Sequence, residues 1–142
     1  MSRVCVLDAS AVLVWLQQER GHEAVEVAFD AGPCWMSTVN TCEVMGKLCE
    51  KGMPPDDAQA TLDELGLTVV AFDADQARLA ASLRAPTMSI GASLGDRACL
   101  ALALSLARPV LKEGAPSSAT VVYTAEKAWG RLKWPFKVHL IR

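Results

Sequence analysis

The sequence predicts an α/β domain in three layers, a central parallel sheet covered by helices on both faces. Three observations carry that expectation. Short apolar runs bounded by turn residues alternate with stretches of helical apolar spacing, the pattern of consecutive βαβ units. The first run, Val4-Cys5-Val6-Leu7, is apolar at every position, as a strand buried on both faces must be. The 142 residues, half of them apolar and about a fifth charged, suffice for one well-buried core. There is no internal repeat, low-complexity tract or composition shift, so a single domain over 1–142 is expected.

The elements follow in order. The first strand, 4–7, leads into a helix over 11–16 and a second over 23–29. Cys34-Trp35-Met36-Ser37 forms the second strand. Cys42, Met45, Leu48 and Cys49 then recur at helical spacing, and Gly52 with the Pro54-Pro55 pair ends that helix. Pro55-Asp56-Asp57 opens a further helix that Gly66 stops near 65. A strand over 68–72, a helix over 75–84 and, after a loop, a strongly apolar helix over 96–107 come next. The Pro/Gly/Ser-rich stretch 108–119 reads as a loop. A strand over 120–123, a short helix near 127–132 and a final strand over 136–140 complete the chain.

Composition narrows the setting. The net charge of −2 argues against bulk electrostatic attraction to nucleic acid, although local patches remain open to it. The start, MSRVCVLDAS, lacks the layout of a secretory signal, and no stretch is long enough to span a bilayer. The five cysteines make no CxxC and lie in apolar segments, so they read as reduced core thiols of a cytoplasmic protein.

Four acids fall at corresponding places. Asp8 directly follows the first strand, Glu43 lies early in the helix after the second, Asp96 begins the apolar helix, and Glu126 follows Tyr123 by three residues. Strands of a parallel sheet end on one edge, where ligands bind, so three of these acids are expected on that edge; Asp96 needs the long loop before it to bring it there. Each also has a plain structural role. Asp8 and Asp96 suit helix N-caps, Glu43 stands four residues before Lys47 in ion-pair order, and Glu126 suits a first helical turn. Together, converging carboxylates repel one another unless a cation sits among them, and an all-oxygen set suits Mg²⁺ or Mn²⁺.

The motifs "VLDASAVLVWL", "MSTVNTCEVMGKL", "VVAFDADQARLAASLR", "SLGDRACLALAL" and "YTAEKAW" resemble, in that order and over nearly the whole chain, the PIN-domain family and within it the VapC-type toxins of bacterial toxin–antitoxin pairs. The resemblance implies a PIN-like three-layer sandwich and a Mg²⁺- or Mn²⁺-dependent endoribonuclease leaving 5′-phosphate and 3′-hydroxyl ends. It also implies a homodimer and a cognate antitoxin whose tail reaches the acids. Asp8, Glu43 and Asp96 match the family's first three metal-holding positions. Glu126 falls where the family has Asp in a Thr-x-Asp motif, with Thr124 matching its Thr. Ser10, Ser37, Asn40, Ser93 and Arg97 match positions near the site.

Two departures qualify it. Glu126 is one methylene longer than the usual Asp, and 108–119 is longer than the family's turn. They motivate an alternative, a degenerate module that binds RNA or a protein partner without cutting. A phosphatase using Asp8 as nucleophile is a weaker rival, because Ala9-Ser10 lacks the second Asp such enzymes use. Lys127, Arg131, Lys133, Lys137 and Arg142 alternate with Trp129, Trp134 and Phe136, which suits either phosphate and base contacts or a solvated face over core aromatics. The latter is the expectation.

Overall fold

The computed structural model describes residues 3–112 and 119–142. The elements run β1 (Val4–Leu7), α1 (Ala9–Leu16), α2 (His22–Ala31), β2 (Cys34–Ser37), α3 (Thr38–Glu50), α4 (Pro55–Asp63), β3 (Thr68–Val70), α5 (Ala74–Ser82), α6 (Leu94–Lys112), β4 (Thr120–Thr124) and β5 (Lys137–Leu140). Short 3-10 turns lie at Met88–Ile90 and Lys127–Arg131.

The five strands form one parallel sheet in the order β3-β2-β1-β4-β5, with Cys5 opposite Cys34 and Val121, and Leu7 opposite Tyr123. The chain winds outward from β1 to β3, then crosses over β1 to lay down β4 and β5. The strand order therefore reverses between β1 and β4, and in open parallel sheets the crevice beyond the carboxyl ends at such a switch point is where ligands bind.

Strand periodicity divides the core in two. Cys5, Leu7, Cys34, Met36, Val121 and Tyr123 face the layer of α1, α2, α3 and α4. Val6 and Val122 face the opposite way, onto α5, α6 and the buried rings of Trp129 and Phe136. Residues 98–103 of α6 are all buried, which explains their unbroken apolar sequence. This is the expected PIN-like three-layer sandwich. Among the described residues no helix is long and apolar enough to cross a membrane.

Several expectations need correction. The apolar helix begins at Leu94, not Asp96, because Ser93 supplies the cap. It also runs on through Pro109 to Lys112, so the expected loop is shorter at its start; residues 113–118, and the side chain of Lys112, lie outside what is described. The helix expected near 127–132 is a 3-10 turn. Cys42 is exposed and Cys49 half-buried, so only Cys5, Cys34 and Cys99 are core thiols. Trp129 and Phe136 are buried and Trp134 stacks on Phe136 at 5.5 Å, so these aromatics are core as expected.

The C-terminal segment closes back on the site. Ile141 N donates to Thr124 O at 3.0 Å, and Gly21, which caps α2 at φ +101°, packs against the Ile141 carbonyl. A Cβ at Gly21 would stand 2.5 Å from that oxygen, while one at Gly52, also at positive φ, would meet open space. Gly21→Ala is therefore expected to destabilise the chain by about 1–3 kcal/mol, and Gly52→Ala by no more than about 1 kcal/mol. Urea titration checks the order, and equal losses would contradict the close approach.

Candidate active site

Asp8 caps α1 directly after β1, in extended backbone, with Oδ1 accepting from Ala11 N at 2.8 Å and from Ser10 Oγ at 2.7 Å. Its other oxygen, Oδ2, accepts from Thr124 Oγ1 at 2.6 Å, across the β1–β4 junction. Thr124 Oγ1 in turn accepts from Glu126 N at 2.9 Å, and Ser10 Oγ from Ala125 N at 3.0 Å. The hydroxyls of Ser10 and Thr124 thus tie the segment carrying Glu126 to Asp8. Asp8 is only 4% exposed. Burial pushes its carboxyl up to about pH 6, against the lowering effect of Thr124, Ala11 and Ser10, and the charge of Asp96 adds to the rise.

Glu43 and Asp96 arrive on two other helices. Ser37 ends β2 and caps α3 through Val39 N at 3.2 Å, which places Glu43 in the helix's second turn. Asn40, one turn earlier and 1% exposed, donates from Nδ2 to Glu43 Oε1 at 2.8 Å and to the Gly95 carbonyl at 3.0 Å. One side chain thereby clamps α3 to the first turn of α6. At that turn Ser93 and Asp96 form a reciprocal capping box: Asp96 N donates to Ser93 Oγ at 3.1 Å and Ser93 N to Asp96 Oδ2 at 3.0 Å. The cap expected of Asp96 is thus Ser93, with Asp96 third in the helix.

These elements surround one open pocket of about 240 Å³, lined by Asp8, Glu43, Asp96 and Glu126 together with Ser10, Asn40, Ala9, Leu13 and Lys47. The four acids line this one pocket, Asp96 among them although a long loop precedes it. The thiol of Cys99, buried beneath them on α6, is pushed up first by its burial and then by the charges of Asp8, Asp96 and Glu43. Thr124, Ser37 and Ser93 hold the acids or their helices without lining the pocket. Arg97 turns away, donating from Nη1 to Ala80 O on α5 at 3.3 Å. The ion pair expected between Glu43 and Lys47 is replaced by Lys47–Glu50 at 3.4 Å.

Two larger hollows, about 470 Å³ beside Arg78 on α5 and about 530 Å³ between α3, α4 and β3, gather no comparable set of acids.

Three residues of the site were not legible as such. Gly95 sits so close to Glu43 that an added Cβ would lie 2.6 Å from Glu43 Cδ, inside the space of its carboxylate. Lys47 and Leu13 complete the wall. The i, i+4 spacing from Glu43 to Lys47 was a usable signal; the approach of Gly95 to Glu43 depends on tertiary packing alone.

A divalent cation fits this set. All the donors are oxygens, Asn40 Oδ1 is buried and without a partner, Glu43 and Asp96 each have one oxygen anchored by a protein donor and the other left over, and Asp8, bonded on both oxygens, keeps one lone pair on Oδ2. As placed, no three Asp, Glu, His or Cys side chains among the described residues close around a single point, so ligation would draw the carboxylates inward.

Fold and pocket together define a class, a parallel α/β domain with an acid-lined crevice at its topological switch point. The family model of the PIN domain matches residues 5–115, and the chain belongs to the PIN domain family. No curated protein matches it. Among solved structures it is similar to VapBC-1 from nontypeable Haemophilus influenzae, at 15% identity and a TM-score of 0.65 over 97% of this chain and 98% of that one. It is also similar to VapBC2 from Rickettsia felis bound to a promoter DNA fragment, at 14% and 0.61 over 96% and 98%. DNA-bound VapBC from Salmonella typhimurium matches at 16% and 0.60 over the full length of both chains. Identities this low speak to the fold.

The buried Asp8 has a measurable consequence. Its folded-state pKa of about 6 lies above the ordinary 3.8, so the folded chain holds that proton more tightly than the unfolded one. The stability linked to Asp8 is complete below about pH 3.8 and is lost as the pH rises through about 6. In chelator, the unfolding free energy of Asp8→Asn relative to wild type should therefore grow by up to about 3 kcal/mol between about pH 4 and pH 7. Parallel pH profiles in thermal or urea unfolding would contradict the buried carboxylate.

Proposed function

We propose that this chain is the toxin of a VapBC-type toxin–antitoxin pair, a Mg²⁺/Mn²⁺-dependent endoribonuclease held inactive by its cognate antitoxin. One observation carries the reading: Asp8, Glu43, Asp96 and Glu126, from four separate segments, line a single pocket at the sheet's switch point. Membership of the PIN domain family and the likeness to three VapBC structures support it. A homodimer and a cytoplasmic setting belong to the same reading.

Asp8, Asp96 and Glu43 would hold the cation, with Asn40 Oδ1 and Glu126 as further oxygen donors. When bound, such a cation supplies Lewis acidity and charge neutralisation for hydrolysis of an RNA phosphodiester. The rest falls to the protein. Asp8 is held by three donors spread over its two oxygens, so its carboxylate is kept in place before substrate arrives. Glu126 is exposed at the pocket rim, and among the described residues its carboxylate accepts no hydrogen bond. It is therefore the group assigned to orient the attacking water and take its proton, at the Oε atom not given to the cation. The extra methylene relative to Asp gives it reach from a strand end.

A second reading, a module that binds RNA or protein without cutting, is favoured by the acids' failure to close around one point. The decisive assay separates the two. With Mg²⁺ or Mn²⁺ the wild type should cleave RNA, and Asp8→Ala or Asp96→Ala should lower the rate by more than about 100-fold. RNA binding without cleavage would favour the second reading, and equal cleavage by wild type and variants would sink the first.

Gly95→Ala gives a sharper test of Glu43. Alanine suits the first turn of a helix better than glycine, by up to about 1 kcal/mol, and the exposed Glu43 side chain can move aside by giving up its bond from Asn40. The thermal midpoint should hold or rise while cleavage falls roughly tenfold or more. Unchanged activity would mean that Glu43 need not stand where the structure has it.

A further inference from the structure

Among the described residues that line the acidic pocket, Lys47 is the one cation. It sits on α3 one turn beyond Glu43, so the two share a side of the helix. Among the described residues it makes no ion pair with Glu43. Its own partner is Glu50, at 3.4 Å between side chains that are 60% and 69% exposed. Such a pair is worth little and is screened by salt, so an arriving anion displaces Glu50 readily.

One turn further, Lys51 ends α3 as an exposed C-cap, with the carboxamide of Gln17 at the end of α1 beside its Nζ. Leu13 of α1 lines the same pocket as Lys47, and α1 packs on α3. Lys47 and then Lys51 therefore follow one another along α3, Lys47 in the pocket with Leu13 of α1 and Lys51 beside Gln17 at the end of α1.

We propose that Lys47, with Lys51 behind it, holds the phosphates next to the scissile one in a single-stranded RNA, so that the strand leaves the acid pocket along the α1–α3 seam. This rests on the ribonuclease reading and adds the substrate's form and path. Four carboxylates with one divalent cation still leave the pocket negative, so Lys47 offsets part of the charge that an entering phosphodiester meets. Four residues of helix advance about 6 Å, which suits the step between successive phosphates of an unpaired strand.

The test is steady-state cleavage of a short unstructured RNA by the full chain across a series of KCl concentrations. Lys47→Gln is expected to raise KM about 3- to 10-fold with kcat within about twofold, the pattern of a contact equal in ground and transition states. The slope of log(kcat/KM) against log[KCl] should shrink by about 0.7, and by about 1.4 in the Lys47→Gln/Lys51→Gln double variant. Lys47→Arg should restore it, and Lys137→Gln, on exposed β5, should change nothing. A slope and KM like wild type in Lys47→Gln, or a loss of kcat at constant KM, overturns the proposal while leaving the ribonuclease reading intact. Loss of binding to an acidic peptide with RNA kinetics unchanged overturns it in favour of a protein ligand. A wild type that cleaves no RNA removes the ribonuclease reading itself, and this proposal with it.

Discussion

Thr124 Oγ1 donates to Asp8 Oδ2 at 2.6 Å, joining the ends of β1 and β4 at the place where the strand order reverses. Much of the site follows from that bond. It faces Asp8 into the crevice, and through the second bond from Glu126 N to the same hydroxyl it sets where Glu126 leaves the strand. Ser10 repeats the arrangement from the other side, donating to Asp8 and accepting from Ala125 N. Without a cation such an arrangement is costly, because a carboxylate taken out of water and set near Asp96 resists ionisation. On the proposed reading, a fold that keeps it spends stability on a prepared binding site.

The other acids show capping and site-building served by the same residues. Asp96 completes a capping box with Ser93, and the box fixes its Oδ2, which leaves Oδ1 for a ligand. Asn40 performs the equivalent task for Glu43, and its second bond to Gly95 O holds α3 and α6 in register. The helix ends deliver the carboxylates rigidly. The small residue at 95 makes room for Glu43, and the orphaned Oδ1 of Asn40 offers one more oxygen to whatever the crevice binds.

The sheet was legible because its strands are buried on both faces: "VCVL" and "CWMS" have little freedom to be anything else, and β1 and β2 lie at the expected residues. Asp8, Glu43 and Glu126 could be placed because each follows a strand closely. Asp96 was harder. "SLGD" can be capped from either end, and reciprocal bonding rather than propensity decides that Ser93 leads. The end of α6 departs from the expectation because Pro109 reads as a stop in sequence, whereas the helix backbone continues to Lys112. Gly95, Leu13 and the turn of Arg97 towards α5 depend on how α1, α3, α5 and α6 meet, and no local pattern encodes that. Lys47 was visible but paired with the wrong acid, since helical spacing allows both Glu43 and Glu50.

The central claim is that these acids form one divalent-cation site anchored on Asp8. Calorimetric titration of the chelator-treated chain with Mn²⁺ tests it most directly, with no need of a substrate. The account predicts saturable binding at millimolar or lower concentration that Asp8→Asn abolishes, while Asp75→Asn, on the exposed face of α5, leaves it intact. No binding by wild type, or binding of equal strength in Asp8→Asn, would contradict it.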